Sequence, residues 1–367
     1  MTSTTTHPAP GPSRAPGPRR ASGWALSFGV PLAVLVLACL LAVALGARSV
    51  DLGTTVDALW ALVTGNADAA QGNIDAAAVL SRVPRTITAV VVGASLAVSG
   101  VAIQGATRNP LGDPALLGLT AGASLAVAIG LALGLAGGLA SVLASSVVGT
   151  LGAAVIVYVV ASASQSLGGF SLRRLTLSSP DPLALILAGA AVTAGAMAGT
   201  TALLISSPAV LERFRFWNVG SVARAELSDA LWLAPVALAV ILAVVALAPG
   251  LDALALGDDL AHGLGANPQR VRVSLFAAVI VLSATATALA GPVAFVGLMV
   301  PHALRRFAPA NHRELTVAAA LWGAVLVVSA DLLGRLVIAP QEIHVGVSTV
   351  VLGAPLLLVL LRRRRFV

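Results

Sequence analysis

Apolar runs long enough to cross a lipid bilayer recur along almost the whole of this 367-residue sequence. The hydrocarbon core of a bilayer is about 30 Å thick and takes roughly 20 apolar residues of helix. Uninterrupted runs of about that length occupy residues 24–46, 86–107, 114–135, 138–161, 183–206, 230–249, 314–335 and 345–361. Hydrophobic residues make up 58% of the chain and charged residues only 10%, whereas about 25% are charged in a soluble domain. The sequence therefore predicts an all-α polytopic membrane protein.

A further apolar stretch, 273–304, is broken at Gly291-Pro292, so it crosses the membrane either once or twice. The 22 basic residues, all of them arginine, decide between the two because basic residues concentrate in cytoplasmic loops. With a cytoplasmic N-terminus and two crossings, fifteen arginines lie inside and seven outside. A single crossing would place these inside arginines on the outside: Arg305, Arg306, Arg313 and Arg362–Arg365. We therefore predict about ten transmembrane helices, with both termini in the cytoplasm.

Three segments differ from the apolar remainder. Residues 1–22 are rich in Thr, Pro, Ser and Gly and predict a disordered cytoplasmic tail. Residues 23–361 form the predicted transmembrane domain, and residues 362–367 form a basic cytoplasmic tail. The longest polar inner segment, 250–272, reads as two short helices separated by Gly and Asn-Pro breaks. It is either a solvated connection or, because most other loops are tight, a docking site for a partner.

The composition excludes several classes of chemistry. The absence of lysine excludes a P-loop ATPase and Schiff-base catalysis, so any ATP would be hydrolysed by another chain. One cysteine, Cys39, allows no internal disulfide, and the five scattered histidines supply no ligand pair at helical spacing. The arginines lie between apolar spans rather than on one soluble face, which argues against nucleic-acid binding. We expect no catalytic residues, no cofactor and no metal site.

Ionisable side chains are almost absent from the interiors of the predicted spans. The polar residues Gln104, Asp331 and Arg335 lie near span ends. A proton- or sodium-coupled transporter normally needs a carboxylate within the membrane. The sequence therefore favours energy supplied from outside the chain over a stand-alone secondary transporter or channel. A membrane enzyme would need clustered His, Asp and Glu at one membrane face, and these residues are scattered.

Five sequence segments together resemble the permeases of ABC importers for iron-siderophores and vitamin B12. They are RVPR (82–85) running into GASLAVSGVAIQGATRNPLGDPALLGLTAGA (93–123), RFWNVGS (215–221), GDDLAHGLG (257–265), GPVAFVGLMVPHALR (291–305) followed by NHR (311–313), and ADLLGR (330–335) followed by QEIHVGVSTVVLGAP (341–355). The third is similar to the family's coupling segment, Gly-acid-acid-x-Ala-x-x-Leu-Gly. All five occur in the family's order, and they extend over residues 82 to 355.

The resemblance implies the type II ABC-importer permease architecture, with ten spans per subunit in the cytoplasmic (inner) membrane. It implies a second permease subunit, two cytoplasmic ATPase subunits and an extracytoplasmic substrate-binding protein. In this family the pathway lies between the two permease subunits and is lined by the fifth and tenth spans. Here those spans correspond to about 183–206 and 345–361.

Three sets of site residues follow from the resemblance. The segment that couples the permease to the ATPase corresponds to Gly257, Asp258, Asp259, Ala261, Leu264 and Gly265. Outward arginines that meet acidic residues of the binding protein correspond to Arg82, Arg85 and Arg335, for which anchoring to lipid headgroups is the alternative. Residues interpreted as turn or helix-end devices are Asn109, Pro110, Pro301 and His302.

The overall pattern is most similar to ferric-siderophore permeases, including those for catecholates. We therefore expect the permease subunit of an importer that takes a ferric-siderophore ligand from its binding protein. Permeases for cobalamin or haem in the same family remain alternatives. The sequence leaves open which chelate is carried, and whether the second permease subunit is a copy of this chain or a paralogue.

Overall fold

The computed structural model describes residues 28–64, 73–136, 138–163, 182–224, 226–307 and 311–362, and over these residues its regular structure is helical throughout. The predicted tail 1–22 lies outside the described residues, as does the basic tail 362–367 apart from Arg362. The described α-helices, numbered in chain order, are α1 Val30–Ala44, α2 Leu52–Val63, α3 Ile74–Thr107, α4 Leu119–Ala132, α5 Leu139–Ala163, α6 Pro182–Ser206, α7 Pro208–Asn218, α8 Leu227–Ala255, α9 Asp258–Gly263, α10 Pro268–Ala290, α11 Val296–Phe307, α12 His312–Leu336 and α13 Val345–Arg362. A short 3₁₀ helix, Pro114–Leu117, precedes α4.

The prediction of a polytopic helical membrane protein is confirmed. Within the described residues, α3, α5, α6, α8, α10 and α12 are long and apolar enough to cross a membrane, and α1, α2, α4 and α13 are shorter apolar helices. Each predicted span coincides with one helix, since 273–304 divides into α10 and α11 at Gly291. The apolar helix α2 is additional and lies in the predicted outer segment between the first two spans.

Several helix boundaries differ from the predicted ones. α3 begins at Ile74 rather than near residue 86, because Asn73 caps it by accepting hydrogen bonds from the backbone of Asp75 and Ala76. α8 continues to Ala255 and α10 begins at Pro268, so the prediction of two short helices in 250–272 was wrong. Only α9 is a separate short helix there.

α3 is the central helix of the bundle. It packs against α12, α10, α8 and α11, and most of its apolar length is buried. In contrast, α5, α6 and α8 present most of their side chains to the surroundings. In the predicted topology, α3 runs from the outer to the inner side of the membrane. Its two ends can therefore contact groups at opposite faces of the membrane.

Glycine makes this close packing possible. α3 crosses α12 where Gly93 meets Gly323, and it crosses α11 where Gly100 meets Gly297. At either crossing a Cβ atom on α3 would overlap the backbone of the facing helix. Close backbone approach through small residues is the usual way in which helices associate in lipid, where water supplies no hydrophobic driving force between them.

Substitution of Gly93 or Gly100 by alanine should therefore destabilise the bundle. The added methyl group must push two backbones apart, which costs about 1–3 kcal/mol. We expect a lower thermal unfolding midpoint for the purified protein in detergent. Gly152→Ala on α5 is the matched control, because no neighbouring atom lies within 4 Å of the position that its Cβ would take. Equal midpoints for all three variants would contradict this explanation of the packing.

Candidate functional site

The short helix α9, in the segment predicted to be cytoplasmic, lies between two glycines at which the chain turns. Gly257 has φ +112° and Gly265 has φ +79°, backbone conformations that residues with a Cβ atom rarely adopt. Between them the backbone makes one tight helical segment, closed by the Leu264 N–H to Leu260 carbonyl bond of 3.0 Å. Asn267 then caps α10 through a hydrogen bond from the Arg270 N–H. Local sequence thus fixes both the start and the end of α9.

One face of α9 is exposed although it is apolar. The side chains of Leu260 and Leu264 are 61% and 67% exposed, and Asp259 lies beside them. Ala261 points the other way and is fully buried. A contiguous exposed apolar surface is one mark of a site that a partner protein covers.

Asp258 faces the bundle rather than the solvent-exposed face of α9. The Arg272 guanidinium donates two hydrogen bonds to it, Nη1 to Oδ2 at 2.8 Å and Nη2 to Oδ1 at 2.7 Å. Arg108, which follows the last residue of α3, donates to the same carboxylate. We call this group, Asp258 with Arg108 and Arg272, the coupling clamp. It joins α9 to the inner end of α3 and to the first turns of α10.

The coupling clamp remains charged at neutral pH. The Arg272 guanidinium, followed by Arg108, holds the pKa of the Asp258 carboxyl below its ordinary value. A carboxyl whose pKa is lowered by folding stabilises the fold when it is ionised. That stabilisation is fully present above about pH 4, the ordinary Asp value, and is lost as the pH falls through the lowered pKa.

A second inner contact joins α8 to α12. The Asp252 carboxylate accepts the His312 backbone N–H at 3.1 Å and lies 2.6 Å from the His312 ring Nδ1. This contact and the coupling clamp were not predicted. Arg108 and Asp258 are 150 residues apart, and spacing in one sequence carries no signal for such a pair.

At the outer side, two arginines cap the C-terminal end of α1. The last carbonyls of a helix have no partner within it and need donors from elsewhere. The Arg82 guanidinium from α3 and the Arg335 guanidinium from α12 supply them. Their acceptors are the carbonyls of Ala42, Val43, Ala44, Leu45 and Arg48. Arg82 and Arg335 are 6% and 2% exposed, so these predicted docking residues point into the subunit.

Arg85, the third predicted docking residue, lies at the edge of the same network. Its Nε and Nη2 donate to the buried Asp331 carboxylate at 2.8–3.0 Å, and its Nη1 donates to Glu342 at 2.7 Å. Asp331 also pairs with Arg335 one turn further along α12, at 3.2 Å. Glu342 is the more accessible carboxylate, with 31% of its side chain exposed.

The predicted turn residues lie at the inner side. Asn109 and Pro110 follow α3, and the Asn109 Oδ1 accepts the Leu111 N–H at 3.0 Å. Pro301 lies inside α11, next to the buried His302, and cannot bond the carbonyl of Gly297. Gln104 of α3 donates to that carbonyl at 3.1 Å, and its own side-chain oxygen accepts from Arg305.

Within the described residues, His, Cys, Asp and Glu side chains do not gather in groups of three that could hold a metal ion. The polar groups described above form one network at each end of α3. Beside the inner network, Leu260 and Leu264 are exposed at α9. Such an arrangement can bind partner proteins and transmit movement.

Comparison with known proteins identifies this arrangement. A model of the FecCD transport family matches residues 34–363. The chain belongs to the FecCD transport family. It is 36% identical to the ferric enterobactin transport system permease protein FepD of Escherichia coli (strain K12) over 335 residues, 91% of this chain and 94% of that protein. It is also 36% identical to the hemin transport system permease protein HmuU of Yersinia pestis over 286 residues, 77% of this chain and 82% of that protein.

A solved structure of an ABC transporter has the same fold. A metal-chelate type ABC transporter in an inward-facing conformation superposes with a TM-score of 0.75 at 25% identity, covering 92% of this chain and 99% of that chain. This FecCD chain is therefore a multi-pass permease subunit of an ABC importer in the inner membrane. The family consists of permeases, and ATP is hydrolysed by a separate subunit.

Removing the buried carboxylate of the outer network should strongly destabilise this FecCD permease. Asp331→Ala leaves Arg85 and Arg335 without their shared partner, and breaking a buried ion pair costs about 3–5 kcal/mol. Asp75→Ala removes an ion pair with Arg48 that is about half exposed, which is worth up to about 1 kcal/mol. Thermal unfolding in detergent should separate the two variants clearly. Similar small losses would show that the network contributes little.

Asp258→Asn should loosen α9, whereas Asp259→Asn should not. The first variant removes the charge that two arginines share, while the second changes an exposed side chain outside the coupling clamp. For a half-exposed group we expect a loss of about 1 kcal/mol, or roughly fivefold faster exchange of backbone amides in 258–266. Hydrogen–deuterium exchange with mass spectrometry measures this directly. Equal exchange in the two variants would rule out the coupling clamp.

Proposed function

We propose that this permease carries a ferric-siderophore chelate across the inner membrane, after an extracytoplasmic binding protein delivers it. The observation that carries the proposal is α9, a short helix whose Leu260, together with the following Leu264, is exposed, and which the coupling clamp fastens to the bundle. The chelate class is supported by relatives named for ferric enterobactin, hemin and Fe(3+)-citrate. Haem is the second candidate, because the hemin permease matches with the same identity.

The exposed face of α9 is the proposed contact with the ATPase. Leu260 and Leu264 would enter a cleft on that subunit and lose their contact with water. Asp259 would stay at the polar rim, where a charge fixes orientation more than it adds affinity. Gly257 and Gly265 allow the sharp turns at the two ends of the helix, and the buried Ala261 packs it against its own subunit.

The coupling clamp would transmit movement of the ATPase to the transmembrane helices. When the ATPase closes on ATP, it displaces α9, and Asp258 draws the inner ends of α3 and α10 along with it. α3 is packed backbone to backbone on α11 and α12. The subunit would therefore move as one body, and the two permease subunits would rock against each other to alternate access.

Docking of the binding protein is proposed for the outer end of α3. Arg82 and Arg335 already serve the carbonyls of α1, so they would fix the shape of this surface. Arg85 is the cation that an acidic side chain of the binding protein could reach, by replacing Glu342 at the accessible edge of the network. Arginine suits this exchange because its planar fork can bind two carboxylates at once.

A second permease subunit, either a copy of this chain or a paralogue, would complete the pathway. α6 corresponds to the fifth span and leaves Ala190, Ala194 and Ala198 exposed along one face. Small residues at four-residue spacing allow another helix to approach closely. α13 corresponds to the tenth span, and together these helices would line the route of the chelate between the two subunits.

The test is ATP-driven uptake of iron-labelled ferric enterobactin into proteoliposomes that contain the assembled transporter. Leu260→Ala with Leu264→Ala should reduce uptake at least about tenfold and abolish co-purification with the ATPase, because each buried leucine contributes about 2 kcal/mol. Leu52→Ala, a 78% exposed leucine on the outer helix α2, is the matched control and should leave both unchanged.

Two results would overturn parts of the proposal. Unchanged uptake and ATPase association in the double variant would remove the coupling role of α9. A wild-type transporter that hydrolyses ATP yet moves no ferric enterobactin would remove the siderophore assignment, and haem and cobalamin would be tested next.

A further inference from the structure

A cleft of about 300 Å³ opens at the extracytoplasmic side, between α7 and the start of α13. Its lining consists of Arg213, Phe216, Ser221, Ala223, Arg224 and His344. Binding sites for small molecules commonly begin at about this volume and combine an apolar floor with a few polar groups. Here Phe216 is half exposed, the Arg215 guanidinium lies over its ring at 5.1 Å from the centroid, and Arg213 and Arg224 line the cleft beside it.

The charge of this cleft is positive. Arg213 and Arg224 are permanently charged, and the lining contains no carboxylate. Glu342, two residues before His344, is bonded to Arg85 and faces the outer network instead. Glu212 adjoins Arg213 on α7 but does not line the cleft. Asp229 lines the adjoining cavity, which also contacts Ser221 and Arg224. The charges of the cleft itself are those of Arg213 and Arg224, so it favours an anionic group.

Hydrogen bonds to backbone carbonyls hold the walls of the cleft in place. The Arg224 guanidinium donates to the Phe216 carbonyl at 2.8 Å, which joins the two sides of the turn after α7. The Ser221 N–H donates to Ala290 at the end of α10 at 2.7 Å, and the Gly346 N–H donates to Gly220 at 3.0 Å. Binding would therefore need little ordering of the site, and a preformed site binds more tightly for the same contacts.

The position of the cleft gives it a role in transport. α7 directly follows α6, and His344 directly precedes α13, so the cleft lies at the outer mouth of the pathway proposed above. We propose that this cleft receives the chelate as it leaves the binding protein, and that it selects chelates that carry negative charge. Carboxylate or catecholate oxygens would accept from Arg213 and Arg224, while an apolar part of the ligand rests on Phe216. This inference rests on the proposed function.

Equilibrium dialysis with iron-labelled probes tests the inference on the assembled transporter in lipid nanodiscs. Ferric citrate is the anionic probe, and ferrichrome, an uncharged ferric hydroxamate, is the neutral one. Arg213→Gln with Arg224→Gln should weaken ferric citrate binding about tenfold or more, since hydrogen bonds to charged groups are the strong ones. Ferrichrome binding should stay the same.

Three further variants separate charge from structure. Arg213→Gln alone keeps the Arg224 bond to Phe216, and it should still weaken ferric citrate binding severalfold. Arg213→Lys with Arg224→Lys keeps the charge and should recover part of the binding. Arg48→Gln removes an outer arginine that does not line the cleft, and it should have no effect on ferric citrate.

The inference fails if wild type does not bind ferric citrate, if all variants bind it equally, or if both probes weaken alike. It also fails if the arginine variants lose association with the binding protein while ferric citrate binding is unchanged, because the surface would then be a protein-docking site. None of these results depends on ATP turnover. A transporter that still takes up ferric enterobactin would keep the proposed function and lose only this inference.

Discussion

The direct contact of α3 with α11 and α12 is the constraint on which the rest of this permease depends. In lipid, helices gain little by hiding apolar surface from each other, so they associate through close contact and a few buried polar groups. Gly93 and Gly100 provide the contact, and the network around Asp331 provides the polar groups. Because these contacts hold α3 between Arg85 and Arg108, the outer network and the inner network belong to one rigid unit.

The sequence predicted the order of the apolar helices, because apolar length reports on the bilayer directly. Their orientation rests on arginine placement and stays a prediction. The sequence also placed all the predicted coupling residues on or beside α9, since that motif is local. It did not predict the start of α3 at Ile74. Arg82 and Arg85 suggested that the span begins after them, whereas folding places both charges inside the bundle, where Asp331 and the carbonyls of α1 satisfy them.

The different environments of Asp258 and Asp259 also became clear only from the structure. In the sequence the two residues are adjacent and equivalent, yet one is bound by Arg108 and Arg272 and the other is exposed. Arg108 comes from a segment 150 residues away, so only the fold brings it to α9. The same holds for Gln104, which serves the carbonyl that Pro301 leaves free on α11. Contacts between distant segments thus connect motifs that are separate in the sequence.

If α9 and the bundle move together, the distance between spin labels at His262 of α9 and Trp232 near the outer end of α8 stays constant through the ATP cycle. Both residues are exposed, and the single Cys39 would first be replaced by serine. Double electron–electron resonance on the complete transporter should give the same intrasubunit distance with and without trapped ATP. A shift larger than one helical turn, about 5 Å, would show that α9 moves independently of the helices that we propose it drives.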